Sequence, residues 1–283
     1  MARNPLYING TEGIAPGAIS TTNIPTGPRY HLLKLIAKAK TTAAGNAALT
    51  DVTQIIEWVR LIVNGIVMWD VTAADLIALA KTNDIDPKNN ELPLYFSEPK
   101  RASILGEEAT SWDTANGARK ITLEIKWKQA IQEASLRVMY SADYSRNITT
   151  DANGKQVPYL SVFKVFSQNW NFGAGTSDIV NLPIQKPIQR LFLIPSAGTI
   201  ESVEITKDGE RIFELTQSDN EMLLADYSIR ANAFGAGSFP FLPDHEQQIS
   251  SALMVSKDLN VKVKLSEAAS VRALIVQRVN GWV

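Results

Sequence analysis

Apolar and polar residues alternate in short runs along most of the chain, the period expected of strands with one buried face. The runs are His31–Ala37, Trp58–Trp69, Ile121–Trp127, Leu136–Tyr140, Leu191–Ile194, Val203–Ile205, Val261–Leu265 and Val271–Val276. Helical spacing is confined to Ala73–Lys81 and Asp219–Tyr227. Residues 1–23 carry Gly, Pro, Ser and Thr without apolar periodicity and read as an N-terminal arm. Many short strands between turn residues predict an all-β sandwich or barrel.

The pattern is duplicated. Ile56, Glu57, Val59, Gly65, Thr72, Asp75 and Leu79 recur as Ile200, Glu201, Val203, Gly209, Thr216, Asp219 and Leu223, always 144 residues later and without a gap. In the same frame Asn64 faces Asp208 and Trp69 faces Phe213. Upstream, Pro25 and Pro28 align with Pro183 and Pro187 at offsets of 158 and 159. Downstream, Leu123, Ile125, Trp127, Leu136 and Val138 align with Val261, Val263, Leu265, Leu274 and Val276 at an offset of 138. The first copy therefore holds about 14 extra residues near 41–55 and about 6 more before its late strands. Length differences of this kind fall in connections, which tolerate insertion better than strands do.

Each copy follows one physical plan. A proline-bounded strand leads to a hairpin that turns at Asn64-Gly65 or Asp208-Gly209, dipeptides that accept positive φ at both turn positions. The returning strand ends at Thr72 or Thr216, with an aspartate three residues on, a capping pattern that should start a helix. Two more strands close the unit. The expected fold is two tandem jelly-roll β-sandwiches: an arm over 1–23, a first jelly roll over 24–150, a linker over 151–180 and a second jelly roll over 181–283. Superposed, Gly65 should meet Gly209 and Asp75 should meet Asp219.

Composition narrows the function. The chain has 283 residues, 45% of them hydrophobic, enough for a substantial core. Lys plus Arg number 28 and Asp plus Glu 29, a net charge of −1 that argues against a bulk nucleic-acid binder. There is no cysteine, which excludes disulfides, thiolate metal sites and cysteine nucleophiles. With only His31 and His245, a histidine-rich metal site is excluded too. The N-terminus lacks signal-peptide character and no apolar window is long enough to span a bilayer, so a soluble, intracellularly made protein is expected.

Candidate chemistry is sparse. Asp244-His245-Glu246 near Ser250 matches no nucleophile-elbow or zincin spacing and reads as a solvated loop. The Phe-Gly-Ala-Gly stretches 172–175 and 234–237 lack a following Gly-Lys-Ser/Thr and read as loops rather than phosphate cradles. Of the six tryptophans, Trp69 and Trp127 stay large and apolar in the other copy, which favours core over a sugar platform. Asn9-Gly10-Thr11 and Asn147-Ile148-Thr149 fit the glycosylation pattern, which means little without a signal peptide. Asp84-Ile85-Asp86 lacks EF-hand spacing, so solvent-facing charge is favoured, with structural calcium the only cofactor contemplated. His31 should be a packed or edge residue of the first strand.

The ordered segments IPTGPRYHLLKL (24–35), VRLIVNGIVMWDVTAADLIALAKTND (59–84), LPIQKPIQRLFLI (182–194), VEITKDGERIFEL (203–215) and VKVKLSEAASVRALIVQRVNGWV (261–283) resemble a known family. They are similar to double jelly-roll major capsid proteins of tailless, membrane-containing icosahedral phages, of the corticovirus and finnlakevirus type. The resemblance implies a structural, non-enzymatic capsid protein of the virion, made in the host cytoplasm. It implies a homotrimer, nearly hexagonal because two jelly rolls per chain give six per capsomer. Its partners would be neighbouring capsomers, minor capsid and penton proteins, and an internal lipid membrane on the N-terminal side, with no specific nucleic acid. A tandem carbohydrate-binding sandwich and an enzyme on a β-sandwich are the competing readings.

The two hairpins differ in one respect. Thr206, Lys207, Glu210 and Arg211 surround the second tip, but Ile62, Val63, Ile66 and Val67 surround the first. Apolar surface left in water costs about 25 cal/mol per Å². Ile62, Val63, Ile66 and Val67 are therefore expected to be covered, by the insertion Thr41–Ile55, by a neighbouring subunit as a candidate interface, or by their own sandwich.

Overall fold

The computed structural model describes residues 4–8, 11–43, 45–98, 104–243, 252–255 and 257–282. The chain divides into two compact units, one of residues 1–80, 86–163 and 279–283, the other of residues 81–85 and 164–278.

The first unit contains β1 (Asn4–Ile8), β2 (Ile19–Ile24), β3 (Arg29–Thr41), β4 (Ala48–Leu49), α1 (Val52–Ile55), β5 (Ile56–Val63), β6 (Ile66–Thr72), and most of α2 (Ala73–Thr82). It continues with β7 (Glu91–Tyr95), α3 (Ile104–Glu108), β8 (Trp112–Asp113), β9 (Ile121–Trp127), β10 (Ile131–Asp143), β11 (Ile148–Thr150) and β12 (Gln156–Pro158). One sheet runs β1-β10-β3, with β4, β7 and β8 pairing successive stretches of the long β3. The other runs β6-β5-β9-β2. Strict alternation along β9, with Ile121, Leu123, Ile125 and Trp127 all buried, shows the one-sided burial that its sequence period requires. Trp69 of β6 meets Phe96 and Trp112 edge-on at 5.6 and 6.5 Å, joining the inner faces of both sheets.

The second unit contains most of β13 (Val162–Phe172), then β14 (Gly175–Ile179), β15 (Ile188–Pro195), β16 (Ile200–Lys207), β17 (Glu210–Thr216), α4 (Gln217–Asp226), β18 (Phe239–Phe241), β19 (Leu259–Leu265) and β20 (Ala269–Val279). Its sheets run β18-β15-β20-β13 and β14-β19-β16-β17. A single buried cluster draws Leu191, Phe239 and Ile275 from the first and Val203, Ile205 and Val263 from the second.

The two units share one topology strand for strand. The path β1-β10-β3-β7 corresponds to β13-β20-β15-β18, and β6-β5-β9-β2 to β17-β16-β19-β14. Two sheets per unit, each built on this shared four-strand order, make each unit a jelly roll. The register agrees in detail. A shift between Leu61 and Ile62 in the first hairpin recurs between Ile205 and Thr206 in the second. Another, between Ile56 and Trp58 against β9, recurs between Ile200 and Ser202 against β19.

Three expectations about boundaries need correction. The arm 1–23 contributes β1, paired with β10, and most of β2, paired with β9. Along β2 exposed Ile19, Thr21 and Asn23 alternate with buried Ser20, Thr22 and Ile24, so the buried face is largely polar and shows no apolar periodicity. The stretch 151–180, read as a linker, holds β12, β13 and β14. Exposed polar residues alternate through Ser167–Phe172, which hides the strand from an apolar count. Nor does the second unit take in residues 279–283, which belong to the first. There the Trp282 indole donates to the Asn116 carbonyl at 2.7 Å and lies edge-on to Trp112 at 5.1 Å.

Candidate assembly surface and a buried charge network

The hairpin tips are built alike. Asn64 and Gly65 have φ of 53° and 86°, Asp208 and Gly209 of 51° and 85°, the left-handed pair that a tight hairpin needs. Asn64 Oδ1 accepts from the Arg119 and Lys120 amides at 2.8 and 3.3 Å. Asp208 Oδ1 accepts from the Lys257 and Asp258 amides at 2.6 and 3.2 Å, the same contact with its acceptor 144 and its donors 138 residues on. The helix caps repeat as well. The Asp75 amide donates to Thr72 Oγ1 at 3.1 Å, and that of Asp219 to Thr216 Oγ1 at 3.3 Å.

Around these equal turns the side chains sit differently. Val63 is fully buried beside Ile121, whereas Ile62, Ile66 and Val67 are half-buried. The insertion enters at the base of β5 through α1, eight residues from the tip, so Val63 is covered by its own sandwich. At the second tip Asp208, Gly209, Glu210, Arg211 and Ile212 are all exposed. Beside it lies a cleft of about 570 Å³ whose lining includes Ile212, Phe213, Leu215, Phe241 and Met254.

The first unit also buries a charge network that the sequence pattern did not reveal. Arg29 opens β3 and is almost fully buried. Its Nε and Nη2 donate to Asp143 Oδ1 and Oδ2 at 3.2 and 3.0 Å, its Nη2 also to Glu108 at 3.0 Å, and its Nη1 to Asn147 Oδ1 at 2.8 Å. His31 Nε2 lies 3.1 Å from Asp143 Oδ2. The Ser145 amide and hydroxyl donate to Asp143 Oδ1 at 2.9 and 2.6 Å. Burial pushes the Asp143 carboxyl up, but the bonds from Arg29, Ser145 and His31 outweigh it and hold the group well below the usual carboxylate range. His31, Glu108 and Asp143 offer atoms within 4.8 Å of one another, a spacing open to a cation. The Arg29 guanidinium already meets both carboxylates, so the positive charge there is the protein's own. Following the prolines at offset 159, Ile188 stands where Arg29 stands, fully buried in the second core. That contrast between copies was the one signal in the sequence for this site.

The other residues singled out by sequence fall into structural roles. Trp69, Trp112, Trp127 and Trp282 are buried, whereas Trp58 and Trp170 are half-buried. Gly237, in the second glycine-rich stretch, packs so closely that a Cβ would meet the Gly198 carbonyl at 2.5 Å. Asn147 is buried with its amide nitrogen donating to the Ser111 carbonyl at 3.2 Å, a poor glycan acceptor. Asp84 is ion-paired with Arg230, whose Nε lies 2.9 Å away. Asp244, His245, Glu246, Ser250 and Asn9 lie outside the described residues.

Comparison with known proteins agrees with this architecture. The model of the viral coat protein P2 N-terminal domain matches residues 5–145, and that of the viral coat protein P2 C-terminal domain matches residues 162–278. Among solved structures, the chain resembles the major capsid protein P2 of bacteriophage PM2 with a TM-score of 0.80 at 16% identity, covering 99% of this chain and 98% of that one. It resembles the STIV MCP with a TM-score of 0.73 at 14% identity, covering 100% and 98%. It resembles the PBCV-1 virus capsid with a TM-score of 0.60 at 9% identity, covering 98% and 93%. No curated protein sequence matches the chain. The carbohydrate-binding reading finds no support in these likenesses. Matched by both halves of the family over most of its length, and built as a double jelly roll, the chain belongs to the viral coat protein P2 family and is a capsid protein.

Proposed function

We propose that the chain assembles as a homotrimer whose six jelly rolls form a nearly hexagonal capsomer of an icosahedral shell. The observation that carries this is the strand-for-strand equivalence of the two units. Two equivalent sandwiches per chain let three chains approximate sixfold packing with one gene product. The role is structural and non-enzymatic. The capsomers contact one another and minor capsid and penton proteins, and the N-terminal side of the shell faces an internal membrane, as the family resemblance implies. Synthesis takes place in the host cytoplasm. Ile62, Ile66 and Val67 are the members of the apolar tip still open to a neighbouring subunit, and Val63 is not.

Mass measurement in solution, on protein released from particles or refolded at high concentration, tests the reading. Three copies are expected. A monomer that shows no association over a wide concentration range would overturn it.

A further inference from the structure

Because the two units are equivalent strand for strand, each exposed strand edge in one has a reference in the other. β1 and β13 hold the same place within their units, beside β10 and β20. β6 and β17 also hold the same place, each the returning arm of its hairpin beside β5 or β16.

In the first unit the outer edge of β6 is closed. The opening residues of β13, Val162 and Phe163, run beside it, and the Trp69 indole donates to the Phe163 carbonyl at 2.9 Å. In the second unit the matching edge is open among the described residues. Among the described residues β17 pairs only with β16, and its Ile212 is 42% exposed. Ile212 to Leu215 of β17 line the apolar cleft there.

β1 supplies the counterpart. Among the described residues it pairs only with β10, and it leaves Leu6 and Tyr7 49% and 50% exposed. An open strand edge is costly to leave in water and prone to pairing with another chain. The Arg211–Glu214 ion pair on β17 neutralises itself while discouraging unspecific strand addition.

We propose that β1 of a second copy of this chain docks along the outer edge of β17, as Val162 and Phe163 lie along β6 inside the first unit. Main-chain bonds give the contact its register, and Leu6 fills the cleft beside Ile212. The contact is heterologous: every copy offers one β1 and one β17. Such contacts close into a ring, which is how the trimer would form. The inference rests on the capsomer reading above and specifies its interface.

The chain has no cysteine, so single thiols can be placed cleanly. Leu6→Cys and Ile212→Cys, mixed as separate proteins and treated with a short bismaleimide, should yield a covalent dimer of one copy of each. The double variant should yield a ladder ending at the covalent trimer. Ile212→Pro breaks β17 at its bulge, beside the proposed contact, and should leave a β-rich, cooperatively melting monomer by light scattering. If wild-type trimers form but the thiols do not cross-link between copies, the proposed edge is wrong and the capsomer reading stands. Trimers of Ile212→Pro as stable as wild type would equally overturn the edge. If Ile212→Pro does not fold, the cross-linking alone decides. A wild-type chain that never trimerises would overturn both readings.

Discussion

Arg29 and Asp143 face each other across the β3–β10 ladder, first residue against last, and form a two-pronged ion pair that is almost wholly buried. The second copy places Ile188 at the corresponding start of its strand. One fold thus closes the same corner once with charge and once with hydrocarbon. Buried pairs gain little over well-packed apolar residues, but losing one partner is expensive because the other stays buried and charged.

Asp143→Ala should therefore destabilise the first unit by about 3–5 kcal/mol, whereas replacing the network around Arg29 with matched apolar side chains should cost far less. The pH dependence has a definite sign. Asp143 is held below its unfolded value of roughly 4, so its stabilisation is present above that pH and is lost as pH falls below it towards the folded value. Chemical denaturation of wild type and Asp143→Asn should show a constant difference near neutrality that shrinks in acid. A difference that grows in acid would contradict the assignment.

Val63 and Lys207 occupy equivalent positions, one fully buried and the other at an exposed tip. Val63→Lys should cost several kcal/mol, since a lone ammonium would enter an apolar core. Lys207→Val should change stability by about 0.5 kcal/mol or less. Thermal melts of the two variants check this, and similar shifts would show that the tips are not differently buried.

Gly237 combines a φ of 81° with a carbonyl 2.5 Å from where a Cβ would stand. Gly65 has a φ of 86° but open space around it. Gly65→Ala should cost roughly 1–2 kcal/mol from conformation alone. Gly237→Ala should cost clearly more, because the Gly198–Thr199 backbone must move as well. Paired denaturation curves separate the two terms.

Trp282→Ala should destabilise the first unit, by about 3–5 kcal/mol, since a buried indole and its hydrogen bond to Asn116 are lost together. Hydrogen exchange localises the effect: protection should fall around Trp112 and Asn116. Loss confined to β15 and β19 would be the contrary result.

Local chemistry was legible in the sequence, and long-range pairing was not. Asn64-Gly65, Asp208-Gly209 and the Thr-to-Asp caps each act within a few residues, so hairpins and helix starts could be read directly. Helix α2 begins at Ala73 as its pattern implied, and α4 begins two residues before Asp219 because Thr216 caps it. Arg29 and Asp143 are 114 residues apart, and nothing local marks either as the other's partner. β13 escaped for a different reason: exposed Ser167, Asn169 and Asn171 alternate with half-buried side chains, so composition alone resembled a loop. Of the apolar tip, the need for cover was legible, but whether the cover is intramolecular depends on depth in the sandwich, which only three dimensions supply.

Trp282 also bears on the timing of synthesis. Its indole completes the aromatic group of the first unit, yet it is translated after all of residues 164–278. A nascent chain on the ribosome therefore holds its first jelly roll unfinished until the second has been made. Closing that long sequence gap late makes folding slower than local contacts would allow. It also delays the appearance of a finished subunit.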